Sequence, residues 1–164
     1  MQHPDFEELL AEFNARNVRY LIGGAHALAA HARPRASKDL DIYIEPTKAN
    51  ATRALAALRG FFRGRAPRYV SVSALLDPNA IIQLGVAPVR IDLLSHLATV
   101  SFSDAWSRRL VAKFGNVPAN YIGIDDLIAE KTHFARPQDI ADLSSLVRAK
   151  AVLRRKKRFS KRRK

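Results

Sequence analysis

Two aspartates separated by a single leucine open the run Asp39-Leu40-Asp41-Ile42-Tyr43-Ile44-Glu45, in which polar and apolar residues alternate. Residues i and i+2 of a strand share a face, so Asp39 and Asp41 point together while Leu40, Ile42 and Ile44 point the opposite way. Carboxylates that close repel unless a cation sits between them, and a divalent ion such as Mg²⁺ or Mn²⁺ is the usual answer. A lone Asp-x-Asp is more often two solvated acids on an edge strand. A third acid changes that weighing: Asp92 lies inside another apolar run, Val89-Arg90-Ile91-Asp92-Leu93-Leu94. If the two strands are neighbours, Asp39, Asp41 and Asp92 form an oxygen cluster able to hold one or two hard cations. With two, one ion grips the leaving phosphates and the other activates an attacking hydroxyl, and Asp92 is the best-placed general base.

A second signal precedes the aspartates. Gly23-Gly24 follows a short β-rich stretch and stands before a helix-favouring one. Without Cβ atoms, such a turn lets backbone N–H groups approach phosphate oxygens at a helix N-terminus. A glycine pair alone is more often a tight turn with no ligand. Between the turn and the aspartates lie Arg33, Arg35 and Lys38. Arg35 and Lys38 are candidate phosphate contacts, the first through a forked guanidinium and the second as a point charge. His26 and His31 are off the i, i+4 spacing that would bring two imidazoles to one metal, and they read as packing or surface residues. Trp106 and Phe61-Phe62 read as core.

These residues need a scaffold of strands and helices. The spacing of Phe6, Leu9, Leu10 and Phe13 predicts a helix over 4–16, followed by a strand over 18–22 and a helix over 25–32 that Pro34 ends. The aspartate strand over 39–45 stops at Pro46, and Thr47 can cap a helix over 48–59. Strands are expected over 69–72, 80–84 and 89–94, the last two joined as a hairpin by residues 85–88. Helix is expected over 103–113, a short strand over 120–124, a helix through 127–134, and a final helix from Pro137 toward Leu153. The result is an α/β (α+β) chain: a mixed β-sheet of about four to six strands flanked by helices, with a helical C-terminal part.

At 164 residues, with 48% hydrophobic and 26% charged residues, the chain has the composition of one folded domain. It has no cysteine, which excludes disulfides, thiolate metal sites and cysteine nucleophiles. No apolar run is long enough to span a bilayer, and a cytoplasmic location with no membrane partner is expected. The net charge of +13 is concentrated at one end, where the last eleven residues carry nine Lys or Arg and no acid. The body is thus read as residues 1–153 and residues 154–164 as a disordered basic tail. Arg154, Arg155, Lys156, Lys157, Arg158, Lys161, Arg162, Arg163 and Lys164 are its candidate nucleic-acid contacts, with RNA as the expected partner. A merely solubilising terminus is the alternative.

Leu21-Ile22-Gly23-Gly24, then Asp39-Leu40-Asp41-Ile42, then a later strand aspartate resembles the signature of DNA polymerase β-type nucleotidyltransferases. The segments Asp126-Leu127-Ile128-Ala129-Glu130-Lys131 and Arg136-Pro137-Gln138-Asp139-Ile140-Ala141-Asp142-Leu143 resemble the C-terminal signature of small prokaryotic members, including those of toxin–antitoxin and abortive-infection systems. The matches run over about residues 18–146. This resemblance implies the nucleotidyltransferase fold, a metal-bound nucleoside triphosphate, and transfer of a nucleoside monophosphate to an acceptor with pyrophosphate released; with the basic tail, the expected acceptor is an RNA, such as the end of a tRNA, or a protein. It assigns metal ligation to Asp39 and Asp41, the third carboxylate to Asp92, phosphate contact to Gly23 and Gly24, and nucleotide contact to Lys131. It also implies a cognate toxin or antitoxin protein as a partner. This chain has Gly-Gly where the best-known members have Gly-Ser, so a serine contact to phosphate is missing. Arg136, Asp139 and Asp142 read as a helix-capping and salt-bridge cluster. Two rival functions remain at this point: a catalytically silent module of the same fold that binds nucleic acid or protein, and nucleotidylation of a small molecule.

Overall fold

The computed structural model describes residues 3–34, 37–86 and 89–161. Arg35, named above as a phosphate contact, lies outside the described residues, as do Arg162, Arg163 and Lys164 of the tail and residues 87–88 of the hairpin loop.

The first apolar stripe forms α1 (Pro4–Ala15), which buries Phe6, Leu9, Leu10 and Phe13. Its proline sits in the first turn, where a missing N–H costs nothing, and the His3 side chain accepts from the Asp5 N–H. Then come β1 (Tyr20–Ile22), α2 (Gly24–His31), β2 (Asp39–Ile44) and α3 (Lys48–Phe61). Thr47 caps α3 by accepting from the Asn50 N–H. Small Ala51, Ala54 and Ala57 are fully buried on α3, letting that helix pack closely against α1. Asn50, itself fully buried, accepts from the Arg19 N–H and donates to the carbonyls of Arg19 and Glu45. Those bonds lock the outer ends of β1 and β2 together and leave no polar atom of that amide stranded.

The remaining elements are α4 (Val72–Leu76), β3 (Ile81–Val86), β4 (Val89–Leu94), α5 (Phe102–Ser107), β5 (Leu110–Phe114), β6 (Val117–Tyr121), α6 (Ile124–Phe134) and α7 (Pro137–Lys161). Among the described residues the six strands form one mixed sheet in the order β3-β4-β2-β1-β6-β5. The β2–β4 and β1–β6 pairs are parallel and the other three antiparallel. The expected mixed α/β architecture with a helical C-terminal part is therefore the observed one. Among the described residues no helix is long and apolar enough to cross a membrane.

Four local expectations are corrected. Residues 69–72 are not a strand: Ser71 instead caps the short α4 by accepting from the Ala74 N–H. Residues 103–113 do not form one helix, because α5 stops at Ser107 and Leu110–Phe114 becomes an edge strand. The Gly115-Asn116 turn behind it, with Gly115 at φ 57°, closes a two-residue hairpin to Val117. The strand expected over 120–124 starts earlier, at Val117, for the same reason. Finally, α7 continues through Arg154 to Lys161, where a disordered tail was expected. Lys and Arg have unbranched side chains and high helix propensity, so a basic run attached to a packed helix extends it.

Candidate active site

Because β2 and β4 run parallel in direct register, their alternation is superimposed. Asp39 is opposite Arg90, Asp41 opposite Asp92, and Tyr43 opposite Leu94. Leu40, Ile42 and Ile44 on the other face are fully buried. The neighbouring strands expected for Asp39, Asp41 and Asp92 are thus adjacent, and all three residues line one cleft of about 820 Å³.

Arg90 sits among these acids. Its Nη2 donates to Asp39 Oδ2 at 2.9 Å and to Asp92 Oδ2 at 3.1 Å. Its Nε lies 2.9 Å from Asp92 Oδ1, off hydrogen-bonding geometry. One guanidinium thus ties the first and third carboxylates. At Asp41, burial, followed by the charges of Asp92 and Asp39, outweighs the opposing charges of Arg136 and Lys131 and pushes the carboxyl up to about 6. Burial also raises Asp92, with the hydrogen bond and charge of Arg90 opposing. Tyr43, next along β2, is pushed well above the usual phenol range by burial and by the nearby charges of Glu130 and Asp41.

The glycine turn abuts this row. The Gly23 N–H donates to the Asp41 carbonyl at 2.9 Å, extending the β1–β2 ladder to the edge of the cleft. Gly24 adopts φ 55° as the first residue of α2, and a Cβ there would collide with the Asp41 carboxylate. A Cβ at Gly23 would meet the Tyr43 ring 2.5 Å away. Both glycines are therefore needed to seat β2 side chains, a role independent of any phosphate. No side chain caps α2, so its first-turn N–H groups have no side-chain acceptor beside Asp41. Gly24→Ala is expected to destabilise the protein by about 2 kcal/mol through the strained φ and the displaced carboxylate. Chemical denaturation monitored by circular dichroism will measure it.

The wall opposite the sheet comes from α6 and α7. Lys131 lines the cleft but is buried, and its ammonium lies 3.0 Å from Asp139 Oδ1 and 2.8 Å from Asp142 Oδ2. Arg136 Nε adds a contact of 2.7 Å to Asp139 Oδ2. The salt-bridge cluster expected for Arg136, Asp139 and Asp142 exists and includes Lys131 at its centre. Glu130, also buried, accepts from the N–H groups of Ala98 and Thr99 and from the Thr99 hydroxyl, which pins the segment after β4 to α6. Lys38 is an exposed residue of the cleft rim, and Ser37 bonds to the Asp39 backbone beside it.

The tail candidates sit elsewhere. Arg154, Arg155, Lys156 and Arg158 are exposed on the last turns of α7 and do not line the cleft. Lys157 and Lys161 belong to the same helix. Sequence reasoning passed over Arg90, Tyr43 and Glu130. Arg90 and Tyr43 were readable as the cleft-facing partners of Asp92 and Asp41 at i−2 and i+2, once the strands were known to pair. Glu130 was visible only inside the segment that resembles the C-terminal signature, where no role was assigned to it.

Three oxygen donors on adjacent strands, with one carboxyl raised by burial and then by the negative charge of the others, are chemically suited to a hard divalent cation. Among the described residues, however, no group of three or more His, Asp or Glu side chains is arranged to hold an ion as it stands. The Arg90 guanidinium takes the counter-charge role between Asp39 and Asp92.

Comparison with known proteins agrees with this architecture. A family model described as nucleotidyl transferase of unknown function (DUF2204) matches residues 3–163. Among solved structures, ANT(2'')-Ia in complex with adenylyl-2''-tobramycin aligns with a TM-score of 0.57 at 13% identity, covering 97% of each chain. The solution structure of the antibiotic-resistance factor ANT(2'')-Ia aligns with a TM-score of 0.52 at 12% identity, over 97% of this chain and 94% of that one. TM1012 of Thermotoga maritima, described as a "putative nucleotidyltransferase", aligns with a TM-score of 0.56 at 11% identity, over 90% of this chain and 96% of that one. At these identities the likeness is one of fold. No curated protein sequence matches.

Proposed function

Given that the chain belongs to the DUF2204 nucleotidyl transferase family, we propose that it moves a nucleoside monophosphate from a nucleoside triphosphate to an acceptor hydroxyl, with Mg²⁺ or Mn²⁺ held by Asp39, Asp41 and Asp92. The observation that supports this most is the register of Asp41 with Asp92 on parallel neighbouring strands, directly under the open N-terminus of α2. The bound cation supplies charge neutralisation at the reacting phosphates and acidifies the attacking hydroxyl.

The chain's own residues do the rest. The N–H groups that open α2 donate to phosphate oxygens, since Gly23 and Gly24 present no side chain there. Lys38, exposed at the rim, adds a positive charge to the same oxygens, and Arg35, three residues earlier in the sequence, is the second cation proposed for them. Lys131 is held by two carboxylates, so its part in nucleotide binding is to fix the wall and contribute charge. The acceptor oxygen attacks the α-phosphorus, a new P–O bond forms, the bond to the bridging oxygen of the β-phosphate breaks, and pyrophosphate leaves. Asp92, raised by burial, takes the acceptor proton.

RNA is the proposed acceptor, because the exposed Arg154, Arg155, Lys156 and Arg158 of α7 are a cationic surface in search of phosphates. Five neutralised phosphates would give a log–log salt slope of about −4. Removing residues 154–164 is expected to flatten that slope and to lower RNA labelling while leaving triphosphate binding intact. Filter binding over a salt series, beside transfer from a triphosphate labelled at the α-phosphate, measures both. A protein acceptor, including a cognate toxin or antitoxin partner, would take the label in place of RNA. The adenylyl-tobramycin complex of ANT(2'')-Ia motivates a small-molecule acceptor as a second reading. In that case loss of the tail leaves activity unchanged. A silent binding module of this fold would bind RNA through the tail and bind no triphosphate.

A further inference from the structure

The cleft contains one feature that the carboxylate chemistry does not use. Phe134, the last residue of α6, lines the cleft yet is 52% exposed. A single exposed phenylalanine is ordinary, but this one stands in a charged cleft with a guanidinium over its ring. Arg136 Cζ lies 5.6 Å from the Phe134 ring centroid, and His133 meets the ring edge-on at 5.1 Å. The chain fixes this pairing tightly. Ala135 is left-handed at φ 47° and ends α6, after which Pro137 begins α7. Arg136 is anchored to Asp139, which is 2% exposed and bound in turn to the buried Lys131. The charge of Arg136 acts on both Asp41 and Tyr43, which puts it in the electrostatic field of the catalytic row.

We propose that Phe134 and Arg136 form the subsite for the nucleobase of the donor triphosphate, the base stacking on the ring with the guanidinium at its edge. This rests on the reading of the cleft as a nucleotidyl transfer site. Aromatic rings stack on any base, and an adjacent guanidinium adds both a flat cation and hydrogen-bond donors for base oxygens and nitrogens. Every base has a face to offer, so the platform selects for the presence of a base before it selects which base. Purines, with the larger face, should be held more tightly than pyrimidines. The buried Lys131–Asp139–Asp142 cluster then has a functional consequence: it holds Arg136 in place before the nucleotide arrives.

The test is calorimetry on the full chain with Mg²⁺ and two probes, an adenosine triphosphate analogue with a non-hydrolysable α,β-methylene bridge and inorganic tripolyphosphate. The parent is expected to bind the nucleotide about tenfold or more tightly than tripolyphosphate. Phe134→Ala should weaken the nucleotide by about that factor and leave tripolyphosphate unchanged, while Phe134→Trp should retain nucleotide affinity. Tripolyphosphate binding also reports that the variant is folded. If Phe134→Ala binds the nucleotide as the parent does, or weakens both probes equally, the base subsite is not here and the transfer reading stands. If the parent binds neither probe, the transfer reading falls and this subsite falls with it.

Discussion

Asp41→Asn is expected to raise the thermal midpoint of the cation-free protein near neutral pH by about 5 °C while lowering nucleotidyl transfer by about a thousandfold. The two effects share one cause. An aspartate ordinarily titrates near about 4, but burial and the charges of Asp92 and Asp39 push Asp41 up to about 6 in the fold. A folded-state value above the unfolded one means that the proton favours the native state. That stabilisation is present in full below about pH 4 and is lost as pH rises through about 6, so near neutrality the ionised carboxylate costs the fold about 2 kcal/mol. Asparagine mimics the protonated form and removes the cost, which in a domain of this size is worth several degrees. The gain should shrink as pH falls toward 4 and should be offset in the parent by added Mg²⁺. Catalysis moves the other way, because removing a charged ligand forfeits several kcal/mol of transition-state stabilisation. Thermal scans across pH, with and without cation, test the first half; initial rates test the second.

Lys131→Met is expected to be the most destabilising single substitution in the cleft wall, at about 3–5 kcal/mol. Methionine preserves the aliphatic stem but takes the ammonium away from Asp139 and Asp142, both nearly inaccessible to water. Buried carboxylates that lose their cation pay most of the desolvation they were compensated for. Asp139 is the informative partner: despite burial, the hydrogen bonds from Arg136 and Lys131 hold its carboxyl below the usual range. A depressed value contributes stability that is present above the unfolded carboxyl range, near pH 4, and lost as pH falls through the folded value. Lys131→Met should therefore lose stability chiefly at neutral pH, narrowing its deficit against the parent in acid. Urea midpoints at several pH values measure this directly. If the variant matched the parent at neutral pH, the buried cluster would not be holding α6 to α7.

Much of this architecture was legible in the residues because local patterns and tertiary structure agree. Leu40, Ile42 and Ile44 alternate with the acids, and in the fold they are fully buried while Asp39, Asp41 and Tyr43 face the cleft. The helix of Phe6, Leu9, Leu10 and Phe13 follows the same logic at helical spacing. The failures occur where the deciding information is elsewhere in the chain. Leu110 to Phe114 joins a favourable helical stretch in sequence, but a Gly-Asn turn and a partner strand claim it for the sheet. The basic end of α7 reads as disorder by charge alone, whereas helix propensity and continuity with a packed segment extend the helix.

The site divides along the same line. Asp39 and Asp41 were visible within one strand, and Asp92 was visible as an acid in an apolar run. What no single segment revealed is the parallel register that sets Asp41 beside Asp92 and Arg90 beside Asp39. Arg90 shows the consequence. By type it is an ordinary strand arginine, and only pairing across fifty-odd residues makes it the counter-charge of two acids. Lys131 shows the converse, since its resemblance to a nucleotide contact said nothing of the two carboxylates that bury and hold it.

The most direct test of the central claim measures pyrophosphate release and label transfer together, using purified full-length chain, Mg²⁺, RNA and each triphosphate labelled at the α-phosphate. The parent should transfer label and release pyrophosphate in equal amounts, and Asp41→Asn and Asp92→Asn should each do neither. Equal labelling by Asp41→Asn and the parent would contradict the assignment of this carboxylate row as the catalytic centre.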